Sequence, residues 1–208
     1  MYPIVRKEEL NETTTLMEVE APLVAAKAKP GQFIIFRIDE EGERVPLTIA
    51  GYNREKGTVT IIFQRVGYTT EKLNTLNAGD ALQDFVGPLG EPSRTEGIQR
   101  AAVIGGGLGV AIAYPQAKAL HEAGAEVDLI VGFRNEHLII LKDELEAACT
   151  NLIIMTDDGS NGHKGFVTQA LEQQIQAGRE YDTVIAIGPL PMMKGPFGYG
   201  TVSNRICK

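Results

Sequence analysis

The chain has 208 residues, 43% of them hydrophobic, with 23 glycines and 10 prolines, enough apolar material for one or two packed cores and too much for a disordered chain. Its 27 acidic against 20 basic residues leave a formal net charge of −7, and no Lys/Arg cluster offsets it. Nucleic-acid phosphate would be repelled, so no nucleic-acid partner is expected. No apolar run approaches the roughly 20 residues of a membrane span, and Met1-Tyr2-Pro3-Ile4-Val5-Arg6 lacks the layout of a secretion signal, so the expectation is a cytoplasmic protein with no membrane contact.

From the N-terminus, Thr14 to Glu20, Phe33 to Ile38, Thr58 to Phe63 and Ala81 to Phe85 read as short strands with period-2 patterning. Pro30-Gly31, Glu41-Gly42, Lys56-Gly57 and Gly79-Asp80 punctuate them, which is the rhythm of an antiparallel barrel or sandwich. Thr70 to Leu76 reads as one short helix.

Beyond Glu96-Gly97 the rhythm becomes strand, helix, strand: Ala101 to Ile104, Ala111 to Ala123, Glu126 to Val131, Leu138 to Ala148, Leu152 to Met155, Phe166 to Ala177 and Thr183 to Ile187. This alternation predicts a parallel sheet covered by helices. Ligands of such sheets sit beyond the carboxyl ends of the strands, where Gly105, Gly106, Gly107, Leu108 and Gly109 fall, with Asp157-Asp158 and Gly188-Pro189. A strand running into glycines and then a helix is the layout of a phosphate cradle, since helix-start amides carry partial positive charge. The spacing misses G-x-G-x-x-G, because the third glycine would fall at Val110, and the run alone reads equally as a plain strand-to-helix turn.

Asp157 and Asp158 suit either an Asx-type turn or ribose hydroxyls. Arg134, after the second strand of this half, suits a 2′-phosphate, whereas the two acids would repel one. Cys149 and Cys207 form no C-x-x-C pair, and His163 in its Gly/Ser/Asn-rich loop has no second histidine at ligand spacing, so no metal site is proposed.

A barrel followed by a nucleotide-binding α/β domain resembles the ferredoxin-reductase-like flavoproteins, and the resemblance covers roughly positions 1 to 194. Arg44-Val45-Pro46-Leu47-Thr48 looks like their flavin motif; the resemblance implies that Arg44 pairs with the FAD pyrophosphate, that Pro46 and Leu47 help hold FAD, and that Thr48 lies near flavin N5 as the catalytic hydroxyl. Ile62-Phe63-Gln64 resembles the strand that flanks the ring. Gly67-Tyr68-Thr69-Thr70 resembles the turn into a helix that receives the pyrophosphate, and Gly87-Pro88-Leu89-Gly90 the loop beside the flavin. Gly105 to Gly109 resembles the pyridine-nucleotide loop, and Gly188, Pro189 and Met192 the segment beside the nicotinamide. The nearest resemblance is to the subfamily that holds the electron-transfer subunit of dihydroorotate dehydrogenase and the small subunit of NADH-dependent ferredoxin:NADP oxidoreductase.

The resemblance thus implies an antiparallel Greek-key β-barrel over residues 1–97 that binds FAD, a parallel-sheet α/β domain over 98–194 that binds NAD(H) or NADP(H), with NAD(H) favoured, and a divergent or truncated tail over 195–208. The implied partner is a larger flavin and iron-sulfur oxidoreductase subunit. Two departures stand out. Ile187 occupies a position where many members of the superfamily have cysteine, and the cysteine-rich segment for a [2Fe-2S] cluster has no counterpart among these residues, so no cluster is expected in this chain.

Overall fold

The computed structural model describes residues 1–189 and 192, and the chain divides between Ser93 and Arg94 into two compact units. Among the described residues the first unit has seven strands: β1 (Tyr2–Glu9), β2 (Thr14–Glu20), β3 (Phe33–Arg37), β4 (Val45–Asn53), β5 (Thr58–Gln64), β6 (Ala81–Leu82) and β7 (Asp84–Leu89). Their spatial order is β6-β1-β2-β5-β4-β3-β7. Consecutive β3, β4 and β5 pair as neighbours while β2 returns beside β5, the Greek-key connection.

The run from Ala81, expected to be one strand, is broken at Gln83, and the break closes the barrel. Tyr2 and Pro3 of β1 pair with Leu82 and Ala81, whereas Phe36 and Arg37 of β3 pair with Phe85 and Asp84. The Gln83 amide donates to the carbonyls of Arg37 and Ile38 at 3.0 and 3.1 Å. One short segment thereby covers both ends of the sheet, which would otherwise expose unpaired edges.

Alternate residues of these strands point inward. Met17 and Val19, Ile34 and Phe36, Val59, Ile61 and Phe63 form one buried core with Phe85 and with Val24 and Ala25 of helix α1 (Pro22–Lys27). Helix α1 starts on proline, whose fixed φ suits the first helical position. The expected helix near Thr70 is α2 (Tyr68–Thr75), anchored in the core by Leu73.

The second unit has a parallel sheet of β8 (Arg100–Gly106), β9 (Glu126–Phe133), β10 (Asn151–Thr156) and β11 (Thr183–Ile187), in the order β10-β9-β8-β11 among the described residues. Ala102 and Ile104 of β8 and Ile130 of β9 pack under Val167, Ala170 and Leu171 of α5 (Val167–Gln176). The alternate side chains meet α3 (Gly109–Glu122): a Cβ placed on Gly105 would fall 3.2 Å from Ala113 Cβ. Leu138 to Ala148 is not the single helix its composition suggests. It is a 3₁₀ turn at Glu136–Leu138, then Ile140 and Leu141 in the core, then the short helix α4 (Lys142–Ala147). A continuous helix would spread Ile139, Ile140 and Leu141 around its circumference; Leu141 instead adopts φ +57 and interrupts it.

Candidate functional sites

Each unit gathers one set of the predicted ligand-binding residues. In the barrel, Val45 and Leu47 pack against the core and Ile49 belongs to it, so Pro46 and Thr48 face the other side of β4. Arg44 stands at the start of that face, its side chain 65% exposed and Nη2 3.7 Å from Asp84 Oδ2. The same carboxylate oxygen accepts a 2.7 Å hydrogen bond from Arg37 Nε. Arg37 is therefore the residue Asp84 holds firmly, and Arg44 presents its guanidinium outward.

Helix α2 begins next to Arg44, because Thr69 Oγ1 donates a 3.0 Å hydrogen bond to Oε2 of Glu43. The N-terminal turn of α2 is closed by Thr70, whose Oγ1 accepts from the amides of Val66 and Gly67 at 3.1 and 3.2 Å and donates to the Gly67 carbonyl at 2.9 Å. A guanidinium and a helix start, both favourable to anions, thus stand together. Glu43 and Asp84 escape sequence reading because their roles depend on contacts 26 and 40 positions away along the chain.

Two predicted flavin residues turn their side chains toward the core. Phe63 is 1% exposed and its ring lies in the barrel core, so only its backbone can serve a ligand; Ile62 and Gln64 share the opposite face of β5. Leu47 is likewise packed against the core rather than turned toward Pro46 and Thr48. The Gly87 to Gly90 loop belongs to β7 and the turn after it. A Cβ on Gly87 would fall 2.6 Å from Ile34 Cγ2, and Gln32 Nε2 donates to the Gly90 carbonyl at 2.9 Å.

In the second unit, the predicted loops meet at the carboxyl ends of the strands. With β9 on one side of β8 and β11 on the other, the order in which the parallel strands are laid down reverses between β8 and β11, the switch point where α/β sheets bind ligands. The glycines there divide the work. A Cβ on Gly105 would lie 2.9 Å from Val110 Cα, one on Gly106 2.6 Å from Met192 Sδ, and one on Gly109 2.5 Å from the Ile187 carbonyl oxygen. These three glycines allow close packing of helix, strand and loop. Gly107 meets nothing within 4 Å but has φ +55, the left-handed region glycine favours.

The Gly107 amide donates to the Gly132 carbonyl at 2.9 Å, those of Val110 and Ala111 close the first turn, and the N-cap Leu108 contributes no side-chain cap. Among the described residues the amides of Leu108 and Gly109 take no backbone partner, and this helix start follows the carboxyl end of β8, the layout of a phosphate cradle. Gly188 and Pro189 lie beside them, Gly188 close to the Gly106 amide, and the Met192 thioether packs over Gly106 and Gly188. Leu190, Pro191, Met193 and Lys194, the tail from 195 and Cys207 lie outside the described residues.

Arg134 and the acid pair stand together at the next strand ends: the Asp157 amide donates to the Phe133 carbonyl at 3.0 Å and that of Asp158 to the Arg134 carbonyl at 3.3 Å. One of these acids forms the expected turn. Asp158 Oδ1 accepts from the Ser160 amide at 2.9 Å and its hydroxyl at 2.7 Å, an Asx turn, and these bonds hold the carboxyl below its ordinary range. Asp157 is exposed, as is Arg134. His163 is a loop residue whose amide donates to Asn161 Oδ1 and whose carbonyl accepts from Thr156. A broad cleft beside β10, lined by His137, Lys142, Glu146, Leu152, Ile154 and His163 among others, includes none of the predicted nucleotide residues.

Comparison with known proteins bears on both sites. Residues 103–196 match the family described as oxidoreductase NAD-binding domain. A protein of Clostridium beijerinckii described only as an uncharacterized protein in the adh 3′ region is 50% identical, covering 93% of this chain and 68% of its own. The dihydroorotate dehydrogenase B (NAD(+)) electron transfer subunit homolog of Thermotoga maritima is 40% identical over 92% of this chain and 67% of its own. The dihydroorotate dehydrogenase B (NAD(+)) electron transfer subunit of Shouchella clausii is 33% identical over 92% and 74%. Among solved structures, that of NADH-dependent reduced ferredoxin-NADP oxidoreductase, from work on flavin-based electron bifurcation, superposes with a TM-score of 0.86 at 39% identity, covering 93% of this chain and 69% of that one. The ferredoxin reductase of carbazole 1,9a-dioxygenase shares the fold, with a TM-score of 0.76 at 21% identity.

Proposed function

Because this chain belongs to the family of dihydroorotate dehydrogenase B electron transfer subunits and their homologues, we propose that it is a flavoprotein oxidoreductase subunit that transfers hydride between NAD(P)H and FAD and delivers electrons to a partner. The observation that carries the FAD half of this reading is the exposed Arg44 guanidinium beside the first turn of α2, at the end of the outward face formed by Pro46 and Thr48. When bound, FAD supplies the hydride acceptor and the means of passing electrons onward.

The chain's own residues bind and orient. Arg44 and the α2 amides neutralise pyrophosphate; Thr48, able both to donate and to accept, meets the polar edge of the flavin; Ile62 and Gln64 flank the ring. The amides of Leu108 and Gly109 take the phosphates of the pyridine nucleotide, Gly188 and Pro189 border its nicotinamide end, and Asp157 takes ribose hydroxyls. Asp157 favours NADH over NADPH by like-charge repulsion, against Arg134.

The partner in this reading is a larger flavin and iron-sulfur subunit, and the place of action is the cytoplasm; no helix among the described residues is long and apolar enough to cross a membrane. The 208 residues carry no iron-sulfur cluster of their own in this proposal. Cys149 is buried, and desolvation pushes its thiol up to about 11, which withholds the thiolate a cluster needs. The test is direct. The purified chain should be yellow with FAD and free of stoichiometric iron, and NADH should bleach its flavin absorbance; a colourless chain that does not take up added FAD would end the proposal.

A further inference from the structure

The connection between β3 and β4 ends at Arg44, and side-chain contacts fix where that end stands. At its base, Asp84 meets both Arg37, the last residue of β3, and Arg44. Farther out, Lys72 Nζ donates to Asp39 Oδ2 at 2.5 Å and Thr69 Oγ1 to Glu43 Oε2 at 3.0 Å. Thr69 and Lys72 are three positions apart on α2 and so share one of its faces. The other end of α2 is itself held: Thr15 Oγ1 donates to Asn74 Oδ1 at 2.6 Å, and Lys7 Nζ donates to the Asn74 carbonyl. Each member of the Asp39–Lys72 pair keeps the other charged, the shared hydrogen bond lowering the carboxyl and raising the ammonium from their ordinary ranges. Both side chains are partly exposed, and an exposed ion pair adds little to folding stability. This one nevertheless joins the two elements whose groups must face one anion together. Untied, Arg44 and the start of α2 would have to be brought together on binding, and that ordering is subtracted from affinity.

We propose that Asp39 and Lys72 are positioning residues of the FAD site, a clamp that holds Arg44 beside the start of α2 before the dinucleotide arrives. This inference rests on the FAD reading above. Both groups act through Arg44 and neither meets the ligand. The sign of one substitution separates this role from direct contact between Lys72 and phosphate. Freeing the ammonium from Asp39 would strengthen a direct contact, whereas it breaks a clamp.

The experiment titrates the flavin-free chain with FAD, following flavin fluorescence. Lys72→Met and Asp39→Asn should each weaken FAD binding about fivefold, the scale of coupling within one network of charges, and leave the melting temperature of the flavin-free chain unmoved. Lys72→Arg, which keeps the pair, should bind FAD within about twofold of the unaltered chain, and Lys72→Met added to Arg44→Ala should cost less than about twofold more, because the clamp then has nothing to position. Tighter FAD binding in Asp39→Asn, unchanged affinity in Lys72→Met, or the same loss from Lys72→Met with and without Arg44 would each overturn the clamp. Failure of the unaltered chain to bind FAD at all is a different result, and it would overturn the FAD reading itself and this inference with it.

Discussion

In the proposed sites the barrel would meet its ligand with side chains, whereas the parallel-sheet unit would meet its ligand with backbone uncovered by missing side chains. On β4, period-2 alternation turns Val45 and Leu47 inward and leaves Pro46 and Thr48 outward, and the charge comes from Arg44. At the switch point of the second sheet the run Gly105 to Gly109 brings no cationic side chain of its own. The helix start is available there because Gly105, Gly106 and Gly109 let α3, β8 and the loop after β11 approach closely. A site made of side chains can lose one contact and keep its shape; a site made of close approach loses its shape when an atom is added. The two units should therefore respond differently to single substitutions.

The largest effect is expected at Gly109. A Cβ there would lie 2.5 Å from the Ile187 carbonyl oxygen and 2.9 Å from its carbon, both backbone atoms of β11 that cannot turn aside. Gly109→Ala should cost about 3 kcal/mol, the upper end of overpacking penalties, lowering the urea midpoint of the second unit and abolishing flavin reduction by NADH while FAD content persists. Gly107→Ala should cost less, about 1 kcal/mol, since it meets open space and pays only for a left-handed backbone. Equal midpoints for Gly109→Ala and the unaltered chain would contradict the close-packing account.

Arg44→Ala comes next. Removing one charge-assisted contact should weaken FAD by about 2 kcal/mol, roughly thirtyfold, without moving the melting temperature of the flavin-free chain. The residue is exposed and only loosely paired with Asp84, so stability has little to lose. If flavin content and affinity stay unchanged, Arg44 does not hold the pyrophosphate.

These contrasts also explain how far the sequence could be read. The switch-point loops were legible because a parallel alternation forces all strand ends to one side, wherever the exact boundaries fall. The Arg44 to Thr48 motif was legible as a motif, but the division of its residues between core and ligand face required β4 to be placed as a strand with known neighbours. Strand β1 escaped notice because its charged run, Arg6 to Glu9, hides a strand in which Ile4 alone is buried. Helix α1 has six residues, too few to show a period. The split of β6 from β7 and the packing role of the glycines depend on partners distant in sequence, such as Ile187 for Gly109, and no local pattern reports them.

Nucleotide choice should show a smaller effect. The exposed Asp157 and Arg134 act in opposite senses at neighbouring strand ends, each by no more than about 1 kcal/mol toward a 2′-phosphate in solvent, and the proposed NADH preference rests on Asp157 outweighing Arg134. Flavin bleaching should be several-fold faster with NADH than with NADPH at equal concentration, and Asp157→Asn should narrow the gap. A clear preference for NADPH that Arg134→Ala reverses would show that the arginine, not the acid, sets the choice.

The smallest effect concerns Asp158, where the loop of the second unit depends on a side chain after all. Its carboxylate accepts two hydrogen bonds from Ser160, which lower its pKa in the folded protein. A depressed folded pKa contributes stability that is fully present above the ordinary carboxylate pKa, about 4, and is lost as the pH falls through the depressed value. The stability difference between the unaltered chain and Asp158→Ala should therefore be full at pH 7 and shrink steadily below pH 4, as read from paired urea titrations. Because the group is exposed, the difference is small throughout, and amide exchange of Ser160 and Glu136 is the more sensitive measure: Glu136 donates to the Ser160 hydroxyl at 2.8 Å, so release of Asp158 should speed both. A difference that widens on acidification would mean that the carboxylate is held by its neutral form, contrary to the hydrogen bonds that define the turn.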